Sequence, residues 1–170
     1  MHPEHLIELI DKANNLPKSQ LPQPTKLQFC FPANTDAVRK VLADTLTGLR
    51  HLELPIEETG TIEIVLAEAL NNVVEHSYAD RPSGMVNLQI NQTSNDLCFL
   101  ISDRGQPMPD NALPLGRPHD LDCAMHDLPE GGFGWFLIRD LAQDLQYTRK
   151  GGENNISFRI TVNKPELQLN

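Results

Sequence analysis

Residues 104–132 have no hydrophobic period: they are polar, rich in proline and glycine, and break an otherwise regular chain. An unpatterned stretch of that length inside a compact domain is usually functional, often a lid over a site. Its neighbours restrict the fold. Alternation predicts a strand over 26–31, and Val38, Val41, Leu42, Leu46 and Leu49 predict a helix capped by Asn34 or Thr35. A second helix is expected over about 57–78, opened by Glu57 and Glu58, where acids suit the positive end of the helix dipole. Strands are expected over 85–91 and 97–102. Beyond the unpatterned stretch come a helix over 134–145 and a hairpin of 146–150 with 156–162 around Gly151-Gly152. This order, β-α-α-β-β-lid-α-β-β, does not alternate as a doubly wound sheet would. It predicts an α+β fold, a two-layer α/β sandwich with helices on one face of a mostly antiparallel mixed sheet.

The body of the domain is expected over 26–163. Leu6, Ile7, Leu9 and Ile10 mark a short amphipathic helix over 4–14, whose apolar stripe docks on the body or meets a partner or second subunit. Pro17, Pro22 and Pro24 interrupt regular structure, so 1–25 reads as helix plus linker, and 164–170 as a frayed tail.

Composition narrows the function. With 14 Lys plus Arg against 23 Asp plus Glu the net charge is −9, and an acidic surface repels phosphate backbones, so no direct nucleic-acid binding is expected. The same charge opposes an ATP site unless a metal ion and oriented backbone N–H groups meet the triphosphate locally. No segment approaches the roughly 20 apolar residues of a membrane span. The Met-His-Pro-Glu-His start lacks the pattern of a secretory signal, so the expected location is the cytoplasm. Cys30, Cys98 and Cys123 form no C-x-x-C pair, which suits a reducing compartment. His119, Cys123 and His126 could offer ligands to zinc, but spacing fixes no fourth ligand.

Polar motifs in a fixed order carry the chemistry. On the second helix Ile62, Val65, Leu66, Ala69, Leu70 and Val73 form the stripe expected to be buried, while Glu68, Asn72 and His76 recur every fourth residue and share another face. That face is either solvated surface or a site. In a site, the Asn72 amide oxygen is a neutral hard ligand for Mg2+, and the Glu68 carboxylate one turn away can accept a proton from an attacking hydroxyl or water. Asp103 ends an apolar strand and precedes Gly105. This is either a simple turn or a carboxylate that accepts from an exocyclic amine such as adenine N6, with Gly105 letting the ring approach the backbone. Gly131-Gly132-Phe133-Gly134 leads straight into an amphipathic helix, as a flexible connection or as a loop whose N–H groups face an anion. No Lys or Arg stands between Arg117 and Arg139, so bound phosphates would depend on backbone N–H groups and a metal. The absence of G-x-x-x-x-G-K-[ST] excludes a P-loop.

Glu68-Ala-Leu-Asn-Asn72-Val-Val-Glu-His76-Ser-Tyr78 resembles the N box of the anti-sigma serine kinases of the RsbW and SpoIIAB type. Their superfamily also holds histidine-kinase catalytic domains, type II topoisomerases, heat-shock chaperone ATPases and mismatch-repair proteins. Ser102-Asp-Arg-Gly-Gln-Pro107 resembles the G1 box in its D-x-G-x-P form, and Leu128-Pro-Glu-Gly-Gly-Phe-Gly-Trp-Phe-Leu-Ile-Arg139 resembles the G2 box. Phe31-Pro-Ala33 and Gly151-Gly-Glu-Asn-Asn-Ile156 also fit, so the likeness spans about 26–162. The resemblance implies a Bergerat-type ATP-binding sandwich with an ATP lid, using ATP and Mg2+ and forming a homodimer. It also implies binding of a sigma factor or other transcription regulator, and phosphorylation of a serine on a STAS-domain anti-anti-sigma protein. Carried onto this chain, it makes Glu68 the catalytic base and Asn72 the Mg2+ ligand, sets Asp103 against adenine, and has Gly105, Gly132, Phe133 and Gly134 shape the lid and phosphate loop. His76 is supportive. Met108 stands where many members have Phe, and Glu130 where some place an arginine, which leaves the stabiliser of the γ-phosphate unassigned.

Two other functions use the same residues. One is a module that binds ATP and sequesters a partner without phosphotransfer, which would not need Glu68. The other is a histidine-kinase catalytic domain, which would need a helical segment bearing a phosphoacceptor histidine; the proline-broken residues 1–25 are too short for it.

Overall fold

Alternation decides which way each strand faces. In the computed structural model, which describes residues 25–79, 84–114 and 133–162, five strands form one sheet in the order β1-β2-β3-β5-β4. They are β1 (Lys26–Pro32), β2 (Met85–Gln92), β3 (Asp96–Asp103), β4 (Gln143–Lys150) and β5 (Glu153–Thr161), and each neighbouring pair is antiparallel. Every second residue is buried: Val86, Leu88 and Ile90 on β2, Leu97, Phe99 and Ile101 on β3, Ile156, Phe158 and Ile160 on β5. Phe99 and Phe158 are register partners, and their rings stack at 4.9 Å across the β3–β5 pair.

Three helices, α1 (Thr35–Leu49), α2 (Ile56–Asn72) and α3 (Phe133–Leu141), provide the second layer. Asn34 caps α1, its side chain accepting from the Ala37 N–H at 2.8 Å. The stripe read from the sequence on α2 is the centre of the core: Ile62, Val65, Leu66, Ala69, Leu70 and Val73 are all buried. Each large apolar side chain there contributes on the order of 1.5–3 kcal/mol of transfer free energy. Helices on one face of an antiparallel sheet is thus the observed architecture.

Some boundaries differ from the sequence reading. The third helix was expected to reach residue 145, but α3 ends at Leu141 and β4 starts at Gln143. The Ala142 N–H closes the helix on the Ile138 carbonyl. A register shift between Gln143 and Gln146, with Asp144 at φ 53°, then lets an irregular strand pair with β5. The expected helix over 4–14, its linker, the tail from 164, and His119, Cys123, His126, Glu130, Gly131 and Gly132 lie outside the described residues, as does most of the expected lid. Among the described residues, no helix is long and apolar enough to cross a membrane.

Candidate functional site

The end of α2 is wound more widely than an α-helix. Val73–Ser77 form a π-turn, a feature often found at functional sites. It breaks the four-residue spacing, so Glu68 and Asn72 are half-buried while His76 is exposed. The turn also presents the buried Ser77 to the segment after β3. The Gln106 N–H donates to the Ser77 carbonyl at 2.8 Å, and a Cβ on Gly105 would lie 2.2 Å from that same oxygen. Only glycine lets the two backbones meet so closely.

Asp103, the last residue of β3, is 2% exposed. Its Oδ1 accepts from the Gly105 N–H at 2.8 Å and from Asn154 Nδ2 at 2.9 Å. Burial pushes the carboxyl above the usual aspartate range, against hydrogen bonds from Asn154, Gly105 and Ser77 and the nearby Arg149 charge, which pull it down. Asn154 is the hub behind it. Its amide nitrogen also donates to the Gln106 carbonyl, and its Oδ1 accepts from the Tyr147 hydroxyl and from Arg149 Nη1. Arg149 donates further to the Gly105 carbonyl, and the Met108 N–H to the Tyr147 hydroxyl. A buried carboxylate with its partners satisfied in this way is held in one orientation.

Tyr78 closes the other side. Its hydroxyl donates to the Met85 carbonyl and accepts from the Arg104 N–H, each at 3.1 Å. Burial pushes its phenol up; the Arg104 N–H lowers it, and the charge on Asp103 adds to the rise. A cleft of about 510 Å³ opens between Tyr78, Asn87, Asp103, Arg104 and Glu153. That volume is within the range of small-molecule sites.

The first turn of α3 completes the arrangement. A Cβ on Gly134 would lie 2.3 Å from Glu68 Oε2 and 3.4 Å from Asn72 Nδ2, so the helix N-terminus sits directly on both residues. Phe133 beside it is 41% exposed and stacks on Phe136. Asn72 Nδ2 is buried with no hydrogen-bond partner. An NH2 donor left without an acceptor is costly, and a phosphate oxygen is the kind of group that completes it, whereas a cation would take the amide oxygen. Among the described residues, no group of three His, Cys, Asp or Glu could hold a metal. The Asn72 amide oxygen is a neutral hard donor, of the kind Mg2+ takes together with phosphate oxygens and water.

The structure therefore joins Glu68, Asn72 and Gly134 at one place, and Asp103 with Gly105 at another, with α2 and its π-turn spanning the two. Sequence reasoning missed Ser77, Tyr147, Arg149 and the role of Asn154. Asn154 and Ser77 lie inside motifs already noted, but nothing in their spacing shows that Asn154 turns back onto Asp103.

Comparison with known proteins gives the same outline. Residues 31–160 match the model of the histidine kinase-like ATPase domain. The serine-protein kinase RsbW of Halalkalibacterium halodurans is 30% identical over 133 residues, covering 76% of this chain and 80% of the relative. The serine/threonine-protein kinase BtrW of Bordetella bronchiseptica is 31% identical over 122 residues, covering 68% and 82%. Among solved structures, that of the RsbU and RsbW domains of a Mycobacterium tuberculosis protein aligns with a TM-score of 0.57 at 17% identity. It covers 83% of this chain and 33% of that one, a likeness of fold.

Proposed function

Since the chain belongs to the histidine kinase-like ATPase domain family, we propose that it is an anti-sigma, partner-switching serine kinase that phosphorylates a STAS-domain anti-anti-sigma protein. It binds ATP and is a protein kinase of the serine/threonine class. The observation that carries the finer reading is the contact of Gly134 with Glu68 and Asn72. It sets a helix N-terminus, a carboxylate and an amide around one point.

In this reading Asp103 accepts from the adenine amine, with Gly105 beneath the ring. The N-terminal turn of α3, with Phe133 and Gly134, faces the phosphates, and Gly132, outside the described residues, belongs to the same phosphate loop by resemblance. The serine hydroxyl attacks the γ-phosphorus, the bond to the β,γ-bridging oxygen breaks, ADP leaves, and the hydroxyl proton passes to Glu68. Asn72 would hold Mg2+, which neutralises phosphate charge when bound. The remaining parts of the proposal are a sigma factor or other transcription regulator as second client, a homodimer, a cytoplasmic location, and a domain over 26–163 flanked by 1–25 and 164–170.

Transfer of labelled phosphate from ATP to a STAS protein tests this. Glu68→Gln should slow transfer by about 10²-fold or more while ATP still binds. Transfer at the wild-type rate in that variant would remove Glu68 from the mechanism. ATP binding by the wild type without any transfer would identify a sequestering module in place of the kinase.

A further inference from the structure

The chain after Asp103 is anchored stepwise: Gln106 to the Ser77 carbonyl, Met108 to the Tyr147 hydroxyl, and Leu113 and Pro114 to α3. The last anchor is Arg139. Its Nε donates to the Pro114 carbonyl at 3.1 Å and its Nη2 to the Leu113 carbonyl at 3.2 Å. Two donors of one planar fork thus hold two consecutive carbonyls, a geometry that an ammonium cannot copy. Arg139 is in the last turn of α3 and Gly134 in the first, while Trp135 and Ile138 fasten the helix to the core. Pivoting on those two buried side chains, a helix of nine residues carries a shift at the exposed Arg139 through to Gly134.

We propose that Arg139 is a positioning residue that couples the adenine end of the site to its phosphate end. The segment that begins at Asp103 reports to Arg139, and Arg139 sets where Gly134 rests on Glu68 and Asn72. The inference rests on the reading of this place as a nucleotide site. Arg139 touches no reacting atom; it acts through α3.

The test compares MgATP with adenosine, both measured on the full chain by competition against a fluorescent ATP analogue, in wild type, Arg139→Ala and Arg139→Lys. Adenosine samples only the adenine end. Both variants should bind adenosine within about twofold of wild type and MgATP about 5- to 10-fold more weakly, the lower end of usual couplings between sites. KM for ATP should rise more than kcat falls. Equal weakening of both ligands, accompanied by a lower melting temperature, would show a merely structural role and overturn the proposal. So would unchanged MgATP affinity in the alanine variant. Full MgATP affinity in Arg139→Lys would mean that the charge, not the fork, matters, and would also overturn it. If the wild type binds neither ligand, the nucleotide reading itself falls; if only the ratio stays fixed, that reading survives and the coupling does not.

Discussion

Asp103, the proposed adenine contact, is a charged residue held in place at the expense of stability. The carboxylate is buried at the end of an apolar strand, and burial outweighs the hydrogen bonds and the arginine that favour its charged form. Its pKa is therefore higher folded than unfolded. The stability it contributes is complete below the unfolded value, near 3.8, and is lost as pH rises through the raised folded value. Asn at this position keeps an acceptor for Asn154 and Gly105 but does not titrate. Asp103→Asn should thus gain melting temperature relative to wild type as pH rises from about 4 to 7, while losing ATP affinity. Thermal melts across that range read the difference directly. A difference independent of pH would mean that burial does not strain this carboxylate. The sequence pointed to Asp103 because a charged residue ending an apolar strand before glycine is a local signal. It was silent about Asn154, which meets Asp103 only because β3 and β5 are paired with these two residues in register.

At the scale of elements, two glycines do different work. Gly105 faces backbone: a Cβ would lie 2.2 Å from the Ser77 oxygen and 2.6 Å from its Cβ, and neither can move without shifting the π-turn. Gly134 faces the end of a flexible side chain, Glu68 Oε2. Gly105→Ala should therefore cost about 1–3 kcal/mol of stability. Gly134→Ala should leave stability unchanged or raised by up to about 1 kcal/mol, because alanine suits a helix better, yet it should cut phosphate transfer by displacing Glu68. Denaturant unfolding and the transfer assay separate the two, and the idea fails if Gly134→Ala lowers stability or leaves the transfer rate unchanged. The elements themselves were legible wherever period and caps agreed, as at Asn34 and along Ile62–Val73. They were misread at 142–145, where Leu145 continues a helical period but pairing with β5 decides. The π-turn was also invisible, since its sequence runs on helically; the exposure of His76 is its consequence.

For the whole molecule, the net charge of −9 and an anionic ligand set a long-range problem that local geometry does not remove. Near the cleft, Arg104 is paired with Glu153 at 3.2 Å and the Arg149 charge acts on Asp103, so each of these cations already has an acidic neighbour. The field that an approaching nucleotide meets is then mostly that of the acidic surface. Salt screens this field over about 30 Å at 0.01 M but only about 8 Å at 0.15 M. Association of MgATP should accelerate with ionic strength by about twofold or more over that interval, the reverse of electrostatically steered binding. Metal-free ATP, which carries more charge, should show a steeper rise. Stopped-flow association at several salt concentrations measures both slopes. A rate that falls with salt would show that a positive local field prevails over the acidic body.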